Sequence, residues 1–342
     1  MLIGLWLVSL GISGAALAIM AGLILLRHVG SWREQRRAAE RQRLIPLLLG
    51  DSEPGEIQVA IWRADDLLVE LTVELIQMVR GSERERFVER AVALGVPQRL
   101  RHHINSGVPR LRQMAAEALA PFTDEASTES LLAALGDSNS DVRLTAAMSL
   151  AHSGRSPSAT ELVERLKIGT EEKSLLIISL FKDLAEQRPE QLEALLANPD
   201  LPSGARMAAA QALAHAGRYP AAPLIAGMIV REEASPDDVP RLLRALAVLG
   251  HPAGEPAVRF ALASRSPRIR AAAAEAAGRI GLTQLSGQLT ESLGDPAWAV
   301  RFQAGNALAS FGSVGRSLLQ LKADDDGPAA AAAARILAEQ AA

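Results

Sequence analysis

The stretch RLTAAMSL, residues 143–150, decides the fold of this chain because versions of it recur along most of the sequence. An arginine opens each strong copy and is followed mainly by small residues. The first two of these arginines and the last two are each 31 residues apart, and the middle intervals of 63 and 64 residues are about twice that period. The strong copies are RQMAAEAL (112–119), RLTAAMSL (143–150), RMAAAQAL (206–213), RAAAAEAA (270–277) and RFQAGNAL (301–308).

The opening residues of these copies are called the marker arginines below: Arg112, Arg143, Arg206, Arg270 and Arg301. Weaker copies without the arginine fill the two middle intervals, near Lys173 and near Val239. Self-similarity at a fixed period is typical of a solenoid, in which each helical pair buries its apolar face only against its neighbours. The sequence therefore predicts an all-α protein, an α-solenoid of helical-hairpin repeats.

Glycines and prolines predict where the helices end and begin. In four copies a glycine follows the marker arginine by eleven residues, at a position where a left-handed backbone ends a helix. These glycines are Gly154, Gly217, Gly281 and Gly312. Helix starts are predicted at Ser235-Pro236, Ser266-Pro267 and Asp295-Pro296, where a capping side chain precedes a proline at the first helical position.

The repeat resembles the HEAT-repeat family, and more closely its short bacterial form, which is shared with phycobilisome-lyase-like repeats. The resemblance lies in Asp141-Val142-Arg143 with Ala146-Ala147 and Gly154, and in Arg268-Ile269-Arg270 with Ala273-Ala274 and Gly281. It covers roughly residues 106–342. The resemblance implies that Arg143, Arg206, Arg270 and Arg301 are structural, each bonding an aspartate or a loop carbonyl of its own or an adjacent repeat.

The N-terminal segment, residues 1–26, carries no charge and is long enough to cross a bilayer as a helix. A cleaved signal peptide would require basic residues before the apolar run, and none is present, so we predict a retained single-pass anchor. Six arginines follow the span: Arg27, Arg33, Arg36, Arg37, Arg41 and Arg43. The positive-inside rule then places the N-terminus outside and the repeats in the cytoplasm, at a bacterial inner membrane.

The basic segment after the span leaves two alternatives open. Residues 27–43 hold six arginines and two glutamates and carry +4, so a chain charge of −3 leaves about −7 elsewhere. The arginines either contact anionic lipid headgroups or only fix the topology. The acidic remainder argues against nucleic-acid binding, which usually needs a basic stripe along the solenoid.

Four regions follow from these patterns. We predict an anchor at residues 1–26, a basic juxtamembrane linker at 27–55, a helical N-terminal cap at 56–106 and the repeat array at 107–342. A cap is expected because a solenoid needs an atypical end unit to cover its first exposed face. The alternative is that residues 56–106 form a dedicated partner-docking module.

The sequence offers no motif for catalysis, cofactor binding or metal binding. The absence of cysteine excludes disulfides, thiolate metal sites and cysteine nucleophiles. The adjacent His102 and His103 point in different directions on a helix, and Asp324 to Asp326 lack the spacing of a calcium loop. No Gly-rich phosphate loop, zincin motif or serine elbow is present.

The sequence is compatible with three functions. The leading hypothesis is a membrane-anchored, non-enzymatic scaffold or adaptor for an unknown protein partner, accessory to an inner-membrane complex such as an envelope-polymer synthase. The second is a lyase-type enzyme, since relatives of the short repeat include chromophore lyases. The third is a homo-oligomeric membrane organiser, assembled through the small residues Gly11, Gly14, Ala15, Ala18 and Gly22 of the span.

Overall fold

A computed structural model describes residues 65–169 and 176–341, together with positions 20, 38–42 and 44–45. The regular elements of these residues are α-helices, with two short 3₁₀ helices at Pro252–Gly254 and Thr283–Leu285. The predicted all-α class is therefore confirmed. The described part of the chain falls into two compact units, divided between Ala134 and Leu135.

Residues 65–134 of the first unit form five helices. Buried leucines of α1 and the buried Phe87 of α2 form its core. Helix α1 packs against α3 and α4, and α3 also packs against α2, α4 and α5. The helices are α1 (Asp65–Met78), α2 (Ser82–Ala93), α3 (Val96–His103), α4 (Pro109–Ala118) and α5 (Glu125–Ala134).

A polar contact joins α3 to the start of α5. Arg101 Nη1 donates to Asp124 Oδ1 at 3.2 Å and to Ser127 Oγ at 3.1 Å. The carboxylate also accepts the backbone N–H of Ser127 at 3.0 Å. Burial alone would raise the pKa of Asp124, but the hydrogen bonds from Ser127 and the charge of Arg101 outweigh it, and the pKa lies below its usual range.

The second unit is a stack of helical pairs. From α6 to α18 each even-numbered helix packs against the next even-numbered one, and α7, α9, α11 and α13 form a second row in the same way. Contacts that run only between neighbours are the arrangement of a solenoid, as the repeat period predicts. The helices are α6 (Ser140–His152), α7 (Ala159–Leu166), α8 (Leu176–Gln187), α9 (Pro189–Ala197), α10 (Ser203–His215), α11 (Ala221–Val230), α12 (Val239–Leu249), α13 (Glu255–Leu262), α14 (Pro267–Ile280), α15 (Ser286–Ser292), α16 (Trp298–Ser310), α17 (Gly312–Ala323) and α18 (Pro328–Ala341).

Small residues let the even-numbered helices approach closely. A Cβ atom added at Gly278 of α14 would lie 2.8 Å from the Cα atom of Ala307 in α16. Such a contact is too short for any side chain, so glycine is required where these two helices cross. The alanine three residues after each marker arginine is buried, as Ala273 is in α14.

The predicted glycines have left-handed backbone just after a helix, and Gly312, two residues after the end of α16, is also the first residue of α17. The φ angles of Gly154, Gly217, Gly281 and Gly312 are 70°, 66°, 80° and 68°. Gly250, eleven residues after Val239, has a φ of 63° and ends α12. Residues with a Cβ atom are strained in this conformation, and glycine adopts it freely.

Two predicted helix starts are wrong. Helix α14 begins at Pro267 as expected, but α12 begins at Val239 and not at Pro236, and α16 begins at Trp298 and not at Pro296. Residues 236–238 form a turn, in which the Asp238 N–H donates to the Ser235 carbonyl at 2.9 Å. The carboxylate of Asp295 accepts the backbone N–H of Ala297 at 2.8 Å and also binds the guanidinium of Arg270. Asp295 therefore holds the turn before α16, and the helix starts after that turn.

The predicted anchor, residues 1–26, lies outside the described residues except for Met20. None of the helices that are described is both long and apolar enough to cross a bilayer. Of the basic segment, Arg41 is described, and it forms an ion pair with Glu74 of α1. The first three residues of the weak repeat copy at Lys173 also lie outside the described residues, and its remaining residues, 176–180, form the start of α8.

Candidate functional site

Four of the five marker arginines, all but Arg206, bind the backbone of the turn before their own helix. Arg270 Nη1 donates to the carbonyl oxygens of Ser264 at 2.9 Å and Arg265 at 3.0 Å, six and five residues earlier in the chain. These two carbonyl oxygens lie outside the helix, and the guanidinium provides the hydrogen-bond donor that a helix would otherwise provide. The equivalent bonds run from Arg112 to Ser106 (3.0 Å), from Arg143 to Asp137 (3.0 Å) and Ser138 (3.4 Å), and from Arg301 to Asp295 (2.8 Å) and Pro296 (3.0 Å).

The other edge of the Arg270 guanidinium binds the next repeat. Its Nε donates to Asp295 Oδ2 at 2.7 Å and its Nη2 to Asp295 Oδ1 at 2.9 Å, which is a bidentate pair. The Arg270 and Asp295 side chains are only 17% and 10% exposed. The hydrogen bonds from Arg270 hold the pKa of Asp295 below its usual range, and the same bonds raise the pKa of Arg270.

Arg206 makes a second inter-repeat ion pair. Its Nη2 donates to Glu233 Oε2 at 2.5 Å, and its Nε donates to the carbonyl of Leu196 at 3.1 Å. The Arg206 side chain is 3% exposed. Arg231 Nε binds the other oxygen of Glu233 at 2.5 Å. The hydrogen bonds from Arg231 and from Arg206 hold the pKa of Glu233 below its usual range.

Both carboxylates stand six residues before the next marker position: Glu233 before Val239, and Asp295 before Arg301. The junction between α12 and α14 has neither partner of such a pair. Val239 stands in place of the marker arginine, and Ser264, six residues before Arg270, stands in place of the acid. One backbone bond is shared, since Val239 N–H donates to the Ser235 carbonyl at 3.2 Å just as Arg270 N–H donates to that of Ser266 at 3.1 Å. The helix starts differ, because Val239 is the first residue of α12 and Arg270 is the fourth residue of α14.

A cavity of about 460 Å³ opens at this junction. The turn before Val239 and the turn before Arg270 both line it, and these are the two turns that an inter-repeat ion pair would join. The lining is mainly apolar and includes Phe260 of α13, whose side chain is 45% exposed. The charged side chains at the cavity, Glu232 and Arg265, come one from each turn.

A smaller cavity of about 220 Å³ lies between α16 and α18. Trp298 and Phe302 line it, and their rings are stacked with centroids 5.1 Å apart and planes inclined by 18°. Arg301 and Arg335 line it as well. Arg335 forms an ion pair with Glu339 one turn further along α18, with Nε 2.9 Å from Oε1.

The described residues do not assemble a recognisable reaction centre. No group of three or more metal-ligating side chains occurs among residues 65–169 and 176–341. His152 and His215 each direct Nδ1 at the carbonyl four residues earlier in their own helix, at 3.0 Å and 2.7 Å. The larger cavity brings a single carboxylate and a single guanidinium together with apolar side chains, and no histidine lines it.

The sequence does not by itself point to either cavity. The sequence feature that marks the larger cavity is a double substitution: Val239 replaces the marker arginine, and Ser264 replaces the acid. This feature can be recognised only after the ion pairs of the other repeats have been seen. The signal for the smaller one is Trp298 beside Phe302 in a chain of which 3% is aromatic.

The repeats match a known family. A family model for HEAT repeats matches residues 97–180, 229–309 and 261–338, which is more than half of the chain. The chain belongs to the HEAT-repeat family. No curated protein matches it.

One solved structure shows the same fold at low identity. The karyopherin Kap121p bound to the extreme C-terminus of the protein phosphatase Cdc14p is similar with a TM-score of 0.54 and 15% identity, over 87% of this chain and 39% of the karyopherin. This HEAT-repeat chain thus spans well under half of that protein. Human deoxyhypusine hydroxylase in complex with glycerol is matched with a TM-score of 0.32 and 20% identity, over 73% of this chain and 97% of that one.

Proposed function

We propose that this HEAT-repeat protein is a non-enzymatic scaffold or adaptor that binds a protein partner at the cytoplasmic face of a bacterial inner membrane. Residues 1–26 serve as its anchor, and the partner belongs to a membrane-associated complex. The observation that carries the proposal is the cavity between α12 and α14, at the junction where the repeat lacks its inter-repeat ion pair.

The chemistry of this cavity suits insertion of an apolar side chain. Its volume of about 460 Å³ falls in the range of pockets that bind ligands. Exposed aromatic rings beside such pockets often dominate the binding energy of protein interfaces, and Phe260 is placed in that way. Glu232 and Arg265 add one charge of each sign at the cavity, which would fix the orientation of a bound segment.

A reaction is less well supported by the same cavity. General acid–base catalysis needs a titratable group within hydrogen-bond reach of the reacting atom, and most such pairs involve histidine or two carboxylates. The cavity offers neither combination. The mainly apolar lining and the exposed Phe260 support the binding role that we propose.

Crosslinking and pull-down of the full chain from native membranes tests the proposal. Phe260→Asp is expected to abolish capture of the partner while leaving the protein folded, because the Phe260 side chain is half exposed. Val248→Asp is the matched control, since Val248 is 48% exposed and does not line the cavity. Equal capture by the two variants would refute the cavity as the binding site.

The anchor has its own test. Alkaline phosphatase fused to the C-terminus is expected to be inactive, because the charge asymmetry around residues 1–26 keeps the repeats inside. An active, periplasmic fusion would contradict both the topology and a cytoplasmic scaffold.

A further inference from the structure

Arg301 differs from Arg270 in having one edge of its guanidinium open. Its Nη1 makes the same two turn bonds as Arg270, so the two groups are held in the same way. In Arg270 the Nε and Nη2 atoms bind a carboxylate. In Arg301 these two atoms have no hydrogen-bond partner within residues 65–169 and 176–341.

The carboxylate that would complete the pair within the chain is engaged elsewhere. A marker arginine is the fourth residue of its helix in α14 and in α16, and the fourth residue of α18 is Ala331. Six residues before it stands Asp325, whose Oδ2 lies 2.8 Å from Lys322 Nζ. The Asp325 side chain is 56% exposed. The open edge of Arg301 is thus left to a group from outside.

The surroundings of this edge combine positive charge with apolar surface. Arg301 lines the 220 Å³ cavity together with the stacked rings of Trp298 and Phe302, and Trp298 is 55% exposed. Arg335 adds a second positive charge, which Glu339 offsets in part. A guanidinium fork already fixed by two backbone bonds can bind a carboxylate with little loss of side-chain entropy.

We infer that this cavity is a binding site for an acidic side chain of a partner polypeptide, an aspartate flanked by apolar residues. Arg301 Nε and Nη2 bind the two carboxylate oxygens as Arg270 binds Asp295, and the neighbouring apolar side chain packs on the Trp298 and Phe302 rings. The site rests on the proposed protein-binding function but not on the cavity between α12 and α14. Each site is tested by its own variants, so one can fail without the other.

The full chain in detergent, labelled with ¹⁵N at tryptophan, tests the site by NMR. The Trp298 indole signal is identified by its loss in Trp298→Phe and followed during titration with acetyl-Leu-Asp-Leu-amide. A saturable shift is expected. Acetyl-Leu-Asn-Leu-amide should bind about ten-fold more weakly, because it lacks the charged acceptor. Absence of a shift with the aspartate peptide, or equal affinity for the two peptides, overturns the inference.

Variants and a second anion define the site further. Arg301→Lys keeps a charge that can still reach the turn carbonyls but loses the fork, so the preference for aspartate over asparagine should largely disappear. Asp325→Asn should leave the affinity unchanged, because Asp325 binds Lys322. If Arg301→Lys retains the preference, the fork is not the recognition element. Inorganic phosphate that shifts the signal as strongly as the peptide at equal concentration would show a general anion site and also overturn the inference.

Discussion

Two neighbouring junctions of the second unit are built from the same repeat, yet one is closed and the other is open. Between α14 and α16, Gly278 lies against Ala307, and Arg270 holds Asp295 of the next repeat with two hydrogen bonds. Between α12 and α14, Val239 and Ser264 stand at the corresponding positions, and a cavity of about 460 Å³ remains. We propose that the missing ion pair at the junction between α12 and α14 leaves a surface to which a partner binds.

The largest expected loss of stability comes from a substitution at the closed junction, between α14 and α16. Arg270→Ala should lower the free energy of unfolding by about 2–3 kcal/mol, since it leaves Asp295 and two turn carbonyls without their donor. Val239→Ala, at the equivalent position of the open junction, should cost about 1 kcal/mol or less because no polar partner is lost. Thermal unfolding of the full chain measures both. Equal losses would mean that the ion pair contributes nothing beyond packing.

The closed junction should also respond to acid. The pKa of Asp295 is lowered in the folded state, so its contribution is fully present above the pKa of an unfolded aspartate, about 3.9, and is lost as the pH falls through the lowered folded value. The stability difference between the wild-type chain and Asp295→Asn should therefore be constant near neutral pH and shrink below about pH 4. Unfolding measured from pH 7 to pH 3 checks this. A difference that stays constant through this range would show that the Asp295 charge does not matter.

The smallest expected change in stability comes from introducing an ion pair at the open junction, between α12 and α14. Val239→Arg combined with Ser264→Asp should raise the stability by about 1 kcal/mol, because the new pair would copy that of Arg270 and Asp295. The two single variants should gain less, and the excess in a double-mutant cycle measures the pair itself. A coupling energy of zero would indicate that the backbone of this junction does not place the two side chains in contact.

The repeat architecture could be predicted from the sequence because it depends on local, periodic signals. Alanines set the close helix contacts, and glycines such as Gly281 end helices wherever they occur in the period. A signal that repeats about every 31 residues occurs many times in the chain, and the two degenerate copies do not hide it. The same regularity identified the marker arginines as a set.

The candidate sites could not be predicted in this way because they arise where the period fails. Val239 and Ser264 are unremarkable singly and lie 25 positions apart, and only the contact between Arg270 and Asp295 shows that such positions form a pair. The wrong prediction of a helix start at Asp295-Pro296 has the same cause, a contact between residues far apart in the sequence. Nothing local to that dipeptide indicates that a guanidinium 25 residues earlier holds its carboxylate.

The open junction, between α12 and α14, is the place where we propose that the partner binds. A photo-reactive benzoylphenylalanine in place of Phe260 should form one covalent adduct with a membrane-associated protein when the full chain is irradiated in native membranes. The same side chain in place of Val248 should not. In the chain that also carries Val239→Arg and Ser264→Asp, the adduct should disappear while the melting temperature stays at or above that of the wild type. An adduct that persists at full yield in this well-folded variant would contradict the central claim.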